Sequence, residues 1–288
     1  MINTILIVGA GTMGSGIAQS CAQYGLLTSL TDTSADALAR ARASISHSLR
    51  RLADKDQLRE PPETIAARIH FLDGLQTAAP PDLAIEAVTE NFEIKATVFA
   101  HLDRLCPPHA LLASNTSAIP ISRISTCTAR PDKVVGLHFF NPVPLMQAVE
   151  VVRAAATSDA TFEAAVSFVR VLGKEPIAVQ RDVPGFLINR INLPSTLEAM
   201  RLVEQGVGSV QDIDKGMRLA LGRRMGIFET GDLVGLDVTL GALTAMHEET
   251  GDARWAPPEI LRDKVAAGHL GRKTGRGWYD YDADGKRK

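Results

Sequence analysis

The chain has 288 residues, enough for one large domain or two modest ones, and its 45% hydrophobic and 22% charged content excludes a disordered chain. A formal net charge of −2 excludes general electrostatic attraction to nucleic acid or to membranes, so neither is expected as a partner. Aromatic residues make up only 5%, which leaves an aliphatic core. In chain order, "TILIV" (Thr4–Val8) is a short β-branched and aliphatic run that ends in glycines, the pattern of a buried parallel strand. It starts so near Met1 that no room is expected for a signal peptide. A helix is predicted over residues 13–24, stopped by Gly25, with a second strand in "LLTSLTD". Over residues 37–52, Leu38, Ala41, Ile45, Leu49 and Leu52 recur at helical spacing. "REPPET" and the "APP" at residues 79–81 read as surface loops. "DLAIEAV", "ALLASN", "VVGLHFF" and "AVEVV" are further strands, with helical stretches between several of them. This alternation predicts an α/β domain over residues 1–183, built on a doubly wound, mostly parallel sheet. From residue 184 the strand signal fades, while Leu187, Ile191, Leu197, Met200, Leu202 and Val203 keep a helical period. An all-helical domain is predicted over residues 184–288, with the tail "DYDADGKRK" frayed. No apolar run approaches the roughly 18 residues of a membrane span. Cys21, Cys106 and Cys127 show neither a CxxC pair nor metal-ligand spacing, so a reduced cytoplasmic protein with no metal is expected.

"GAGTMG" places Gly9, Gly11 and Gly14 in a G-x-G-x-x-G arrangement around Thr12 and Met13. The three glycines serve a tight turn, a close backbone approach to a pyrophosphate, and close helix–strand packing. The motif follows a predicted strand, opens a predicted helix, and is trailed by Asp32 at the end of the next strand. Asp32 is placed to accept the ribose hydroxyls of NAD and to repel the extra phosphate of NADP. The plain alternative is a glycine-rich turn with an N-capping aspartate. The context favours a Rossmann-type NAD site, which implies hydride transfer and a base for a hydroxyl proton.

Of seven histidines, His47, His70, His101, His109, His247 and His269 sit in polar or loop-like contexts and read as solvated surface residues. His138 lies in the apolar run "VVGLHFF", near the carboxyl edge where doubly wound sheets hold ligands. Twelve residues on, "AVEVV" buries Glu150 in another strand. A buried carboxylate needs a partner, and a His–Glu pair satisfies both groups while fixing the imidazole tautomer. Such a pair serves structure or catalysis equally well on sequence physics. The "SNTS" cluster (residues 114–117) adds hydroxyls and an amide at the same sheet edge, which favours catalysis.

"GAGTMGSGIA", "IEAVTENFEIK", "SNTSAIPI", "GLHFFNPVPLMQAVEVV", "DVPGFLINRI" and "GRKTGRGWYDY", in order and nearly end to end, resemble the L-3-hydroxyacyl-CoA dehydrogenase family in its short 3-hydroxybutyryl-CoA form. The resemblance implies an NAD-binding Rossmann-type domain followed by a helical domain that mediates homodimer formation. It implies oxidation of an (S)-3-hydroxyacyl-CoA thioester to 3-oxoacyl-CoA, or the reverse. It makes His138 the acid/base and Glu150 its orienting partner, with Ser117 and Asn189 holding the substrate 3-oxygen. It places Asp32, Glu90, Lys95 and Asn115 around the NAD ribose and nicotinamide. On the helix after the second strand, Ser46, Arg50, Arg51 and Lys55 become candidates for contact with CoA, a solvated charged face being the alternative.

The resemblance is incomplete at "RRMGIFETGDLVGLD", where Ile227 and Thr230–Gly231 stand in place of the family's usual "MGPFEL" and the small residue or leucine after it. That leaves acyl-chain preference open, as does the choice between CoA and carrier-protein thioesters. Carnitine and L-gulonate dehydrogenases share the fold and the histidine, but theirs is followed by proline where this chain has Phe139. A non-catalytic NAD-binding relative would not need to keep His138, Glu150, Ser117 and Asn189 together.

Overall fold

The computed structural model describes residues 2–75 and 80–288, so Met1 and the first residue of the loop expected at 79–81 lie outside the described residues. The chain forms two compact units, Met1–Phe186 and Leu187–Lys288.

The first unit is built on one eight-stranded sheet: β1 (Thr4–Val8), β2 (Leu27–Asp32), β3 (Ile69–Asp73), β4 (Leu83–Glu86), β5 (Leu111–Ser114), β6 (Val134–Phe139), β7 (Ala148–Val152) and β8 (Glu175–Val179). Their spatial order is β3-β2-β1-β4-β5-β6-β7-β8. The first six run parallel; β7 pairs antiparallel to β6, and β8 follows β7. Helices α1 (Thr12–Gln23), α2 (Ala35–Ala53), α3 (Pro62–Ala66), α4 (Phe92–Leu105), α5 (Ile121–Ser125) and α6 (Asp159–Val171) connect them. Alternate residues of β1 explain why the strand is apolar throughout: Ile5 and Ile7 pack in one core with residues of α1, α2 and α6, while Leu6 and Val8 pack in the other with residues of α4 and α5. On α2, Ala41, Ile45, Leu49 and Leu52 are buried, as the spacing predicts. Strands β3 and β8 are additions to the sequence reading. Both are edge strands with partial burial, and β8 carries Pro176, which an edge strand tolerates.

The second unit contains α7 (Ile188–Glu204), α8 (Val210–Leu219), α9 (Ile227–Val234), α10 (Leu236–Thr250) and α11 (Glu259–Ala266). Asp214 of α8 accepts hydrogen bonds from the Phe228 and Glu229 N–H groups and the Tyr279 hydroxyl, so it caps α9 from a distance. Asp232 of α9 likewise accepts from the Trp278 and Tyr279 N–H groups and the Tyr281 hydroxyl. The tail is therefore not frayed. Tyr281 is 4% exposed, and Arg287 pairs with Glu229 at 3.2 Å, because buried carboxylates and an apolar slot receive the final aromatic residues. Isolated β-bridges at Gly271–Arg276, Arg276–Asp280 and Tyr281–Arg287 also add extended backbone to a unit expected to be all helical. Ile227 is buried, and Gly231 is half-buried with Trp278 and Leu236 beside it, so both positions face neighbours within this unit.

Candidate active site

The order of the sheet reverses at β1, whose two neighbours are β2 and β4. Their carboxyl ends open a crevice there. Gly9 leaves β1 at φ +108°, and a Cβ on it would stand 2.6 Å from the Ala87 carbonyl oxygen that follows β4. A Cβ on Gly14 would overlap the Gly9 carbonyl, whereas one on Gly11 would meet nothing within 4 Å. The first and third glycines thus let backbone pass backbone, and the second faces open space where a ligand can approach. Gly11 is also the N-cap of α1 and offers no side chain to the first N–H groups, beside Thr12 and Met13. Asp32 accepts from the Ala10 N–H at 2.8 Å and the Ser34 N–H at 2.9 Å, which fixes a carboxylate at the edge of the same loop. An uncapped helix terminus, an open glycine and an acidic residue together fit a dinucleotide with its pyrophosphate at α1.

Three strands along the sheet from β1, β6 presents His138, 4% exposed, and β7 beside it presents Glu150, 0% exposed. They are register partners across the antiparallel pair. His138 Nδ1 stands 2.6 Å from Glu150 Oε2. The carboxylate assigns the proton to Nδ1 and leaves Nε2 with its lone pair and no partner among the described residues. Phe140 and Phe186 pack tilted against the imidazole at 4.6 and 5.7 Å between centroids. Phe186 is fully buried and holds φ +46°, an uncommon backbone state for a residue with a side chain.

The segment after β5 is held by charges. Glu86 accepts from Ser114 Oγ at 2.6 Å and from Lys95 Nζ at 2.7 Å. Glu90 accepts from Thr116 Oγ1, from the Ser117 N–H and from the Ala118 N–H, and pairs with Lys95 at 3.3 Å. Lost solvation works to raise the Glu90 pKa, but Lys95 and the three donors outweigh it and hold the carboxyl below its ordinary range. Burial likewise works against the Lys95 charge, and Glu86 and Glu90 outweigh it, so the Lys95 pKa rises. The ammonium is thus engaged by two carboxylates. Ser117 keeps a hydroxyl without a partner among the described residues, while Asn115 Oδ1 accepts from the Phe139 N–H at 3.0 Å and ties β5 to the strand of His138. Asn189 belongs to the second unit, on the first turn of α7.

A groove of about 390 Å³ runs from Gly11 and Thr12 past α2 to Asn141 and Pro142. Its α2 lining combines the polar Arg40, Ser44 and Ser48 with the apolar Ala37, Ala41 and Ile45. Ser46 and Arg50 of α2 are not among its lining residues, Arg51 is exposed outside it, and Lys55, expected on the same helix, lies beyond its C-cap and also outside the lining. The i, i+4, i+8 spacing of Arg40, Ser44 and Ser48 beside the apolar stripe was the available signal.

A family model described as "3-hydroxyacyl-CoA dehydrogenase, NAD binding domain" matches residues 4–183, and one described as its C-terminal domain matches residues 185–281. A probable 3-hydroxybutyryl-CoA dehydrogenase from Deinococcus radiodurans is 42% identical over 275 residues, covering 96% of this chain and 99% of that one. The crystal structure of Mycobacterium tuberculosis FadB2 superposes with a TM-score of 0.92 at 38% identity, over 98% of this chain and 99% of that chain. That of (S)-3-hydroxybutyryl-CoA dehydrogenase PaaH1 from Ralstonia eutropha gives 0.86 at 40% identity, over 98% and 100%. With the glycine loop, the buried His–Glu pair and both halves of the chain matched, the protein belongs to the 3-hydroxyacyl-CoA dehydrogenase family.

Proposed function

We propose that the chain oxidises (S)-3-hydroxyacyl-CoA, with 3-hydroxybutyryl-CoA the first candidate, to 3-oxoacyl-CoA, or runs the reverse reduction. The observation that carries this is the buried His138–Glu150 pair at 2.6 Å with Nε2 left over. NAD is the cofactor: Gly11, Thr12 and Met13 would face its pyrophosphate and Asp32 its ribose, and when bound it supplies the hydride acceptor or donor. His138 Nε2 takes the proton of the C3 hydroxyl in the oxidation. Glu150 stabilises the imidazolium that results, and Ser117 offers its hydroxyl to the 3-oxygen. Asn189 is carried as a second holder of that oxygen by family resemblance. Glu90, Lys95 and Asn115 act by holding the segment of Ser117 and the strand of His138. The CoA arm fits the groove beside Arg40, Ser44 and Ser48.

In the second unit Ile191 (73% exposed), Val207, Leu219 and Leu221 are open apolar side chains, which supports a homodimer through this unit. Free Cys21, Cys106 and Cys127 support a cytoplasmic setting. Among the described residues, no helix is long and apolar enough to cross a membrane.

The test is NADH oxidation by acetoacetyl-CoA, followed by absorbance, in wild type and His138→Ala. The expected result is turnover that falls about 10²-fold or more in the variant. Intact NADH binding without turnover in the wild type would move the substrate to a carrier-protein thioester or another hydroxy acid.

A further inference from the structure

Lys174 precedes β8 and follows Gly173, whose φ of +62° suits glycine. The lysine is 7% exposed. Its ammonium donates to the carbonyls of Val143 at 2.7 Å and Met146 at 2.6 Å. No carboxylate pairs with it among the described residues. A buried ammonium ordinarily sits beside an acid, because desolvating an isolated charge is costly. Here both acceptors are main-chain oxygens of one short connection, residues 140–147.

That connection leaves β6 just after His138 and Phe139 and enters β7 two positions before Glu150. Asn141, Pro142 and Val143 line the groove that runs along α1 and α2. Leu145, Met146 and Lys174 line a second cavity of about 260 Å³, and Pro144 lines both. The connection is thus a partition with a cavity on each side. Among the described residues its main-chain bonds run from the Leu145 and Met146 N–H groups to the Pro142 carbonyl and, at its far end, from the Glu175 N–H of β8 to the Gln147 carbonyl, and Leu145 is exposed. On the groove side it is seated where Val143 packs on Gly16, a position at which an added Cβ would come within 2.9 Å of Val143 Cβ. On the other side Lys174 binds it at two points.

We propose that Lys174 is a positioning residue for the thioester substrate, holding the 140–147 partition as the groove wall from the side the substrate does not touch. The proposal rests on the reading that the groove takes the CoA arm. One ammonium reaches both carbonyls because it carries three donors on a single atom. Its hydrogen bonds are stronger than those of a neutral donor. Methionine fills the same volume and supplies no donor. Arginine keeps the charge but spreads it over a planar fork.

The experiment compares full-length wild type with Lys174→Met, Lys174→Gln and Lys174→Arg. Readouts are KM and kcat with acetoacetyl-CoA, the NADH dissociation constant from fluorescence, and the rate of chymotrypsin cleavage at Leu145 with and without CoA. The expected result is a KM raised about tenfold or more in Lys174→Met, with kcat within about threefold and NADH affinity within about twofold of wild type. Cleavage at Leu145 should speed several-fold, and CoA should slow it. Lys174→Gln and Lys174→Arg should fall between, and they decide the matter if Lys174→Met does not fold. An unchanged KM in the folded variants, with wild type active, overturns this proposal alone. An equal loss of kcat, KM and NADH affinity also overturns it, since general packing would give that pattern. Wild type that binds NADH and leaves acetoacetyl-CoA untouched overturns the substrate reading and this proposal with it.

Discussion

Each unit of the molecule buries carboxylates in its interior, and the two sets differ in what they leave over. In the second unit Asp214 and Asp232 each accept three hydrogen bonds, two from main-chain N–H groups and one from a tyrosine hydroxyl. All of these donors serve to join α8, α9 and the terminal segment. In the first unit Glu150 binds one nitrogen of a ring whose other nitrogen has no partner among the described residues. A buried ionisable group therefore points to chemistry when one of its atoms remains unspent, and to architecture when none does.

That contrast can be broken most sharply at Glu150. Glu150→Gln keeps the size of the side chain but loses its charge, so the imidazolium has no counter-ion and the tautomer is no longer fixed. Turnover should fall about 10²-fold or more, while the urea midpoint shifts little. A loss of stability that matched the loss of activity would make the pair architectural. The reverse pattern is expected at Asp214→Ala, which strands two main-chain donors and the Tyr279 hydroxyl. Urea unfolding should show a loss of roughly 3 kcal/mol or more, since each buried unsatisfied group costs about 1–3 kcal/mol. The folded fraction should keep the wild-type kcat.

The smallest expected effect is on acid stability. The Glu90 carboxyl lies below its ordinary range in the folded chain, so on acidification the unfolded chain takes up this proton first. Its contribution is complete above the unfolded carboxylate pKa and is lost as pH falls through the lower, folded value. Because the side chain is partly exposed, the effect should stay below about 1 kcal/mol. Urea unfolding of wild type and Glu90→Gln at stepwise lower pH should show the two stabilities converging. A gap that widens in acid would reverse the sign.

The parts of the site legible in sequence were those set by local rules. Gly9 and Gly14 carry a fixed spacing just after a strand, Gly14 against the nearby Gly9 carbonyl, and a histidine or glutamate alone in an apolar strand announces itself. Strands β3 and β8 escaped because edge strands are only half buried, so their apolar signal is diluted by His70, Asp73, Glu175 and Pro176. On α2 and just past it the family pattern drew attention to Ser46, Arg50 and Lys55, whereas helical phase puts Arg40, Ser44 and Ser48 on the groove. The tail's polar composition hides Tyr281, whose acceptor Asp232 lies 49 positions earlier, so its anchoring has no local signal. Nothing in "LGKEP" distinguishes Lys174 from a surface lysine, since its acceptors are carbonyls and carbonyls have no sequence.

The antiparallel turn from β6 into β7 also has a bearing on how the molecule assembles. His138 and Glu150 are 12 positions apart, on adjacent strands joined by a single connection. Loop-closure entropy rises with separation, so a contact this local can close before the long crossovers that bring Gly9 against Ala87. The His138–Glu150 pair therefore lies within one hairpin, whose register needs no distant strand to define it. The dinucleotide crevice, by contrast, exists only once strands from far along the chain have docked. The expected order is that the His138–Glu150 register gains hydrogen-exchange protection during refolding before the contact of Gly9 with Ala87 does.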